Sequence, residues 1–165
     1  MKTAPARLAA VVLLLATSAF AQMVTRETPI YEDDVPKLVL VAFRSAYPKA
    51  KTRRCTKVEV NGTTTFYNID SVDGKERREI SYTPAGELAQ IREVVAESAL
   101  PAEAQQAIAD QYPKAKVTRA EKIIEGDRVG YRASVETSEK QFSLEFDASG
   151  KLTATREVKI RMTFR

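Results

Sequence analysis

Apolar residues along this chain change their spacing in the same order twice. Val39, Ala42, Phe43 and Ala46 fall at helical intervals, and Ala104, Ala107, Ile108 and Gln111 follow the same intervals further on. Pro36 and Pro101 precede these stripes and suit a first helical turn, where a missing N–H costs nothing. Tyr47-Pro48 and Tyr112-Pro113 end them, because a residue before proline is pushed out of the α region. Two helices of about three turns are predicted.

The spacing then shortens to alternation. Val58 and Val60 lead into Asn61-Gly62, a tight hairpin signal, and Thr63 to Ser71 is rich in threonine and aromatics. Arg78, Ile80 and Tyr82 form a third strand, and Thr83-Pro84-Ala85-Gly86 is a turn before a fourth from Leu88 to about Val95. In the second half Val129, Tyr131, Ala133 and Val135 alternate cleanly. Phe142, Leu144 and Phe146 match the third strand, and Asp147-Ala148-Ser149-Gly150 precedes a last strand from Leu152 to about Ile160.

These correspondences form an internal repeat. Tyr47-Pro48-Lys49-Ala50-Lys51 recurs as Tyr112-Pro113-Lys114-Ala115-Lys116 at an offset of 65, which also pairs Val35-Pro36 with Leu100-Pro101 and Arg54 with Arg119. Beyond the first hairpin the offset becomes 64, pairing Gly62 with Gly126, Tyr67 with Tyr131, Gly86 with Gly150 and Arg92-Glu93-Val94 with Arg156-Glu157-Val158. The expected fold is therefore α+β: two tandem modules over 35–96 and 97–165, each one helix followed by a four-stranded antiparallel meander, with the sheets side by side. Phe43 and Ile108 should sit at the two helix–sheet interfaces, each large side chain contributing about 1.5–3 kcal/mol on burial.

The amino-terminal residues belong to neither module. Lys2 and Arg7, the apolar run Leu8 to Ala16 and Ala19-Phe20-Ala21 form the three parts of a secretory signal peptide over 1–21. The apolar run falls short of the ~20 residues that span a bilayer, so no stable membrane anchor is expected after cleavage and a periplasmic or secreted location is. Residues 22–34 read as a flexible leader, with Glu32, Asp33 and Asp34 near the first helix N-terminus. Losing Lys2 and Arg7 lowers the formal charge from +4 to +2, which gives no case for nucleic acid.

Candidate chemistry is sparse. The chain has no histidine, which removes the usual general base and the commonest zinc ligand. No phosphate loop, paired-cysteine motif or nucleophile elbow is present. Asp33-Asp34 and Asp70 with Asp73 match no calcium loop, and turn or capping roles account for them. No catalytic residue, metal site or cofactor is expected. Cys55, the single cysteine, reads as a half-buried strand residue, with an intermolecular disulfide or reactive thiol as the other option. Tyr47 and Tyr112 read as helix-end aromatics, and the Lys49/Lys51 and Lys114/Lys116 pairs as solvated loops.

The outward sheet surface carries the site expectation. With Tyr67 and Ile69 toward the helix, Phe66, Asn68 and Asp70 face away, as do Arg77, Glu79 and Ser81 and, in the second module, Gln141, Ser143 and Glu145. An exposed Phe66 among charged neighbours has the composition of an interface centre. Phe66, Asn68, Arg77, Glu79, Gln141 and Glu145 are the candidate partner-binding residues. An ordinary solvated sheet face is the competing explanation.

The order helix, Tyr-Pro-x-Ala, hairpin, aromatic strand and Gly-containing turn resembles the PepSY-like domain, grouped with the β-lactamase inhibitor protein fold. The resemblance rests on Val35-Pro36, Phe43, Tyr47-Pro48-Lys49-Ala50 and Gly86, then on Leu100-Pro101, Ile108, Tyr112-Pro113-Lys114-Ala115 and Phe146 to Lys151. It implies a periplasmic or secreted protein, and in the inhibitor relatives two modules form one curved sheet whose concave face grips an enzyme. This chain lacks the relatives' disulfides and has no matching inhibitory loop, so only the fold and the habit of binding carry over. The functional expectation is an exported, non-catalytic module that binds or inhibits another exported protein or peptide. The second reading is an envelope-stress or structural protein that senses a metal or cell-wall material.

Overall fold

A computed structural model of the chain describes residues 25–158. The expected signal peptide and the end of the last strand at Ile160 lie outside the described residues.

The first helix, α1, spans Lys37–Ala46 and the second, α2, spans Ala102–Gln111. Pro36 and Pro101 stand at the N-caps with nearly equal φ of −54° and −53°, and Tyr47 and Tyr112 at the C-caps with φ of −131° and −129°. Helix α1 is followed by β2 (Lys51–Val60), β3 (Thr63–Asp73), β4 (Glu76–Tyr82) and β5 (Leu88–Val95). Helix α2 is followed by β6 (Lys116–Glu125), β7 (Arg128–Glu136), β8 (Gln141–Asp147) and β9 (Leu152–Val158).

Two expectations need correction. The modules do not keep separate sheets: β5 pairs antiparallel with β6, and among the described residues one sheet of nine strands runs in sequence order from β1 (Thr25–Ile30) to β9. The ninth strand comes from the supposed flexible leader, because Thr25–Ile30 forms β1 along the edge of β2. Pro29 fits this position, because an edge strand tolerates a residue that donates no ladder hydrogen bond. Glu32–Asp34 form a 3-10 turn rather than acidifying the first turn of α1, and Glu32 pairs with Arg44 near the other end of that helix.

Strand pairing carries the alternation across the whole sheet. Cys55 lies opposite Ile69, Ile69 opposite Ile80 and Ile80 opposite Ile91, while Val95 lies opposite Ala120, Ala120 opposite Ala133 and Ala133 opposite Leu144. Both rows share one face, and both helices cover it. Val39 and Phe43 pack with Cys55, Ile69, Ile80 and Tyr82, and Ala104 and Ile108 with Ala133, Val135, Leu144 and Phe146. Phe43 and Ile108 thus lie in the two interfaces, as expected.

The ladder slips at matching places in the two halves: between Thr52 and Arg54 as between Val117 and Arg119, and between Ser81 and Tyr82 as between Glu145 and Phe146. Such bulges increase local twist. A further slip, with Val58 opposite Phe66 but Glu59 opposite Thr64, leaves Thr65 as an extra residue. It accounts for the change of offset from 65 to 64 beyond Thr65; the first turn still follows offset 65, so Asn61-Gly62 corresponds to Gly126-Asp127 and the expected pairing of Gly62 with Gly126 does not hold. Asn61 and Gly62, both at positive φ, make the expected tight turn.

Gly86 and Gly150 are required where helix meets sheet. Both have left-handed φ, +85° and +99°, and a Cβ would come within 2.8 Å of the Leu38 carbonyl oxygen at Gly86 and of the Ala104 nitrogen at Gly150. Gly62 is also left-handed but meets nothing within 4 Å. Gly62→Ala should therefore cost only the backbone strain, about 1–2 kcal/mol. Gly86→Ala and Gly150→Ala should cost clearly more, because backbone atoms cannot step aside. Urea midpoints of the three variants check this ranking, and equal losses would refute the contact.

Cys55, 3% exposed, is more deeply buried than expected. Burial pushes its thiol up to about 11, helped by the charges of Glu32 and Asp70. Burial likewise pushes the Tyr82 phenol up to about 12, with a smaller contribution from Tyr47. The folded protein holds these protons more tightly than the unfolded chain. The stability they contribute is complete below about pH 9 and declines as pH rises toward 11 and 12, by up to about 1.4 kcal/mol per pH unit for each group. Cys55→Ala should flatten part of that decline in alkaline denaturation curves. In the native protein Cys55 should react with a water-soluble disulfide reagent far more slowly than after unfolding.

Candidate binding face

Among the described residues, no helix lies on the opposite face of the sheet. Its side chains come from the alternate positions: Arg54, Thr56 and Val58 on β2, Phe66, Asn68 and Asp70 on β3, and Arg77, Glu79 and Ser81 on β4. Arg92 and Val94 follow on β5, Glu121 and Ile123 on β6, Arg132 on β7 and Glu145 on β8. Val58, Thr56, Ser81 and Glu121 are only 7–9% exposed although neither helix covers them. Burial without a covering layer means that the sheet coils and neighbouring rows shield one another, so this face is concave. Three depressions open along it, of about 410, 220 and 320 Å³.

Charges alternate in sign across the face. Arg54 Nη2 lies 2.7 Å from Asp70 Oδ2, and Asn68 donates a 3.3 Å hydrogen bond to Glu79, which also pairs with Arg92. Beyond the β5–β6 junction, Arg119 Nη2 lies 2.7 Å from Glu121, and Arg132 Nη2 lies 3.0 Å from Glu145. Burial lowers the Arg92 guanidinium from its ordinary value, while nearby Glu121 opposes that shift and Arg132 adds to it. Arginine stays charged regardless, so Arg92 is a fixed cation among the carboxylates Glu79 and Glu121. These networks are not saturated. Asn68 Oδ1 and the Nε atoms of Arg92 and Arg132 are buried without a hydrogen-bond partner.

The expected site residues all belong to this face, but it does not gather them at one point. Phe66 and Asn68 line the second depression with Val58 and Arg92, whereas Arg77 and Glu79 line the largest. Glu145 lines the third, and Gln141 sits away from all three, opposite Glu136 and Val158. Phe66 is half-buried rather than exposed, since Val58 stands directly opposite it. Reading the sequence by alternation within single strands missed Arg92, Glu121, Arg54 and Arg119. Arg92 follows Ile91 and so was legible as outward. Glu121 and the bulge-side arginines needed the β5–β6 pairing and the register slips.

The remaining candidates serve structure. Tyr47 packs on Phe43 with ring centroids 5.8 Å apart and lies 5.3 Å beneath the Arg78 guanidinium, whereas Tyr112 packs on Phe142 at 4.9 Å. Asp147 accepts hydrogen bonds from Ser149, Gly150 and Lys151 within its turn, which hold its carboxyl below the usual range. Lys49, Lys51, Lys114 and Lys116 are exposed. Among the described residues, no group of three or more Cys, Asp or Glu side chains is placed to hold a metal ion, and no helix is long and apolar enough to cross a membrane.

Comparison with known proteins places this geometry. The chain resembles a BLIP-like protein of Bacteroides fragilis, with a TM-score of 0.60 and 16% identity over 79% of this chain and 92% of that one. A Bacteroides eggerthii structure described as "putative periplasmic" gives a TM-score of 0.65 and 16% identity over 74% and 88%. A DUF2874 family protein of Bacteroides uniformis gives 0.64 and 14% over 78% and 92%. At such identities the likeness concerns the fold. No curated protein matches the sequence. The family profile described as "Putative beta-lactamase-inhibitor-like, PepSY-like" matches twice, over residues 20–90 and 65–154, and the chain belongs to this PepSY-like family.

Proposed function

We propose that this protein is an exported, non-catalytic binding module whose concave sheet face takes up a segment of another exported protein or peptide. The observation that carries the reading is the face that no described helix covers, with a half-buried aromatic and fixed, unsaturated charges recessed in it. A protein surface meant only for water has no need to bury a carboxylate such as Glu121, 7% exposed, among guanidinium groups. Desolvating those charges is costly, and the cost is offset only by strong pairing. The result is a rigid pattern of charge, which confers specificity on a partner more than raw affinity.

The signal-peptide pattern and the periplasmic description of a structural neighbour support an exported location. The family's description supports an inhibitor-like module rather than an enzyme, as does a chain without histidine. Lactamase inhibition is not part of the proposal, because no inhibitory loop can be matched residue by residue.

Immobilised protein lacking residues 1–21 should capture a saturable partner from periplasmic extract. The Phe66→Ala/Arg77→Ala variant should lose it by about tenfold or more, as expected when an interface centre is truncated. Equal capture by both proteins would show that the partner uses another surface.

A further inference from the structure

The largest depression on the concave face has a specific chemistry. It is lined by Arg53, Arg54, Arg77 and Arg119 together with Asp70, Glu79 and Val94. Arg78 borders it from a position on the helix face, where its side chain engages Tyr47. Each carboxylate in the depression already has its cation: Asp70 is paired with Arg54 and Glu79 with Arg92. Arg119 is paired with Glu121. Arg53 and Arg77 are left exposed, with no carboxylate in ion-pair range among the described residues. Nor can the rest of the chain neutralise them with a side chain, because residues 1–24 and 159–165 contain no Asp or Glu.

The two uncompensated guanidinium groups stand on different strands. Arg53 is the extra residue of the β2 bulge between Thr52 and Arg54, and Arg77 lies on β4 opposite Val72. We infer that this cleft binds an acidic peptide segment in extended conformation, with carboxylates at alternate positions. The inference rests on the binding-face reading above and names the partner's chemistry. An extended chain presents every second side chain on one side, about 7 Å apart, so one segment can meet separated arginines while its backbone crosses the cleft. Guanidinium forks match carboxylates in geometry as well as charge. A flat bilayer does not follow a recessed face. Asp70 and Glu79 repel a dense polyanion, whereas a peptide can place uncharged residues beside them.

The test uses the protein lacking residues 1–21 and a fluorescein-labelled hexapeptide alternating glutamate with threonine, read by fluorescence anisotropy. Binding should weaken about tenfold or more in Arg53→Gln/Arg77→Gln, two exposed changes that leave every ion pair of the fold in place. The charge-matched control Lys37→Gln/Lys151→Gln should change it by less than about twofold. A glutamine-for-glutamate peptide should not bind. Equal weakening in the two variants would mean diffuse attraction and would overturn the assignment. So would tighter binding of an oligogalacturonate, which would make the ligand an acidic glycan. Absence of glutamate-peptide binding sinks the acidic-segment inference alone if Phe66→Ala still abolishes capture of a periplasmic partner. If that capture also survives Phe66→Ala, the binding-face reading falls with it.

Discussion

Two helices of ten residues are asked to serve a sheet of nine strands, and that disproportion governs the molecule. Each helix is about 15 Å long, whereas nine strands spaced about 4.8 Å apart make a sheet nearly 40 Å across. Because each module places its helix on the same side, the available apolar cover goes entirely to one face. The other face must then be built from groups that tolerate water yet keep a fixed shape. Bulges at matching positions in the two halves raise the local twist, and the sheet curves away from its helices so that the uncovered side is the concave one.

The junction between β5 and β6 decides whether this works. Five residue pairs, from Ile91 opposite Ile124 to Val95 opposite Ala120, join the halves in one hydrogen-bonded ladder. On the helix side Ile91 and Val95 pack against the two cores, with Glu93 opposite Lys122 between them. On the concave side it is ionic: Arg92 reaches back to Glu79 in the first half, while Glu121, opposite Val94, belongs to the second. Arg92, paired with Glu79 and within electrostatic reach of Glu121, thus connects carboxylates of both halves on this face. The small modules, each marginal alone, gain a shared edge and lose two exposed ones.

Much of this was legible in the sequence because the two halves repeat one local plan. The helices, their Tyr-Pro ends, the Asn61-Gly62 hairpin and the aromatic strands each carry a signal within a few residues. Three features carry no such signal. Strand β1 looks like a polar tail until β2 offers it an edge. The fusion of the sheets depends on pairing between β5 and β6, to which residues on both sides contribute only ordinary alternation. The extra residue at Thr65 appears in sequence only as a one-position drift in the repeat. The site was half legible for the same reason. Alternation placed Phe66, Asn68, Arg77 and Glu79 on the correct face. Which of them share a depression depends on long-range register.

Comparison of the two halves within the chain sharpens the point. At the centres of the two cores the positions stay alike: Phe43 and Ile108, Ile80 and Leu144, Tyr82 and Phe146 are buried in both copies, although Arg78 and Ser71 give way to Phe142 and Val135 at the same face. Positions on the concave face do not. Where the first half has Thr56, Asn68, Asp70, Arg77 and Glu79, the second has Glu121, Arg132, Ser134, Gln141 and Ser143. Close packing penalises a change in any core position, so the inner face of a duplicated unit has little freedom. The concave face, which no described helix covers, is free to differ, and there the halves bring complementary charges near one another, such as Arg92 and Glu121. A symmetrical repeat would present the same surface twice. Divergence across the concave face turns two like units into one asymmetric surface.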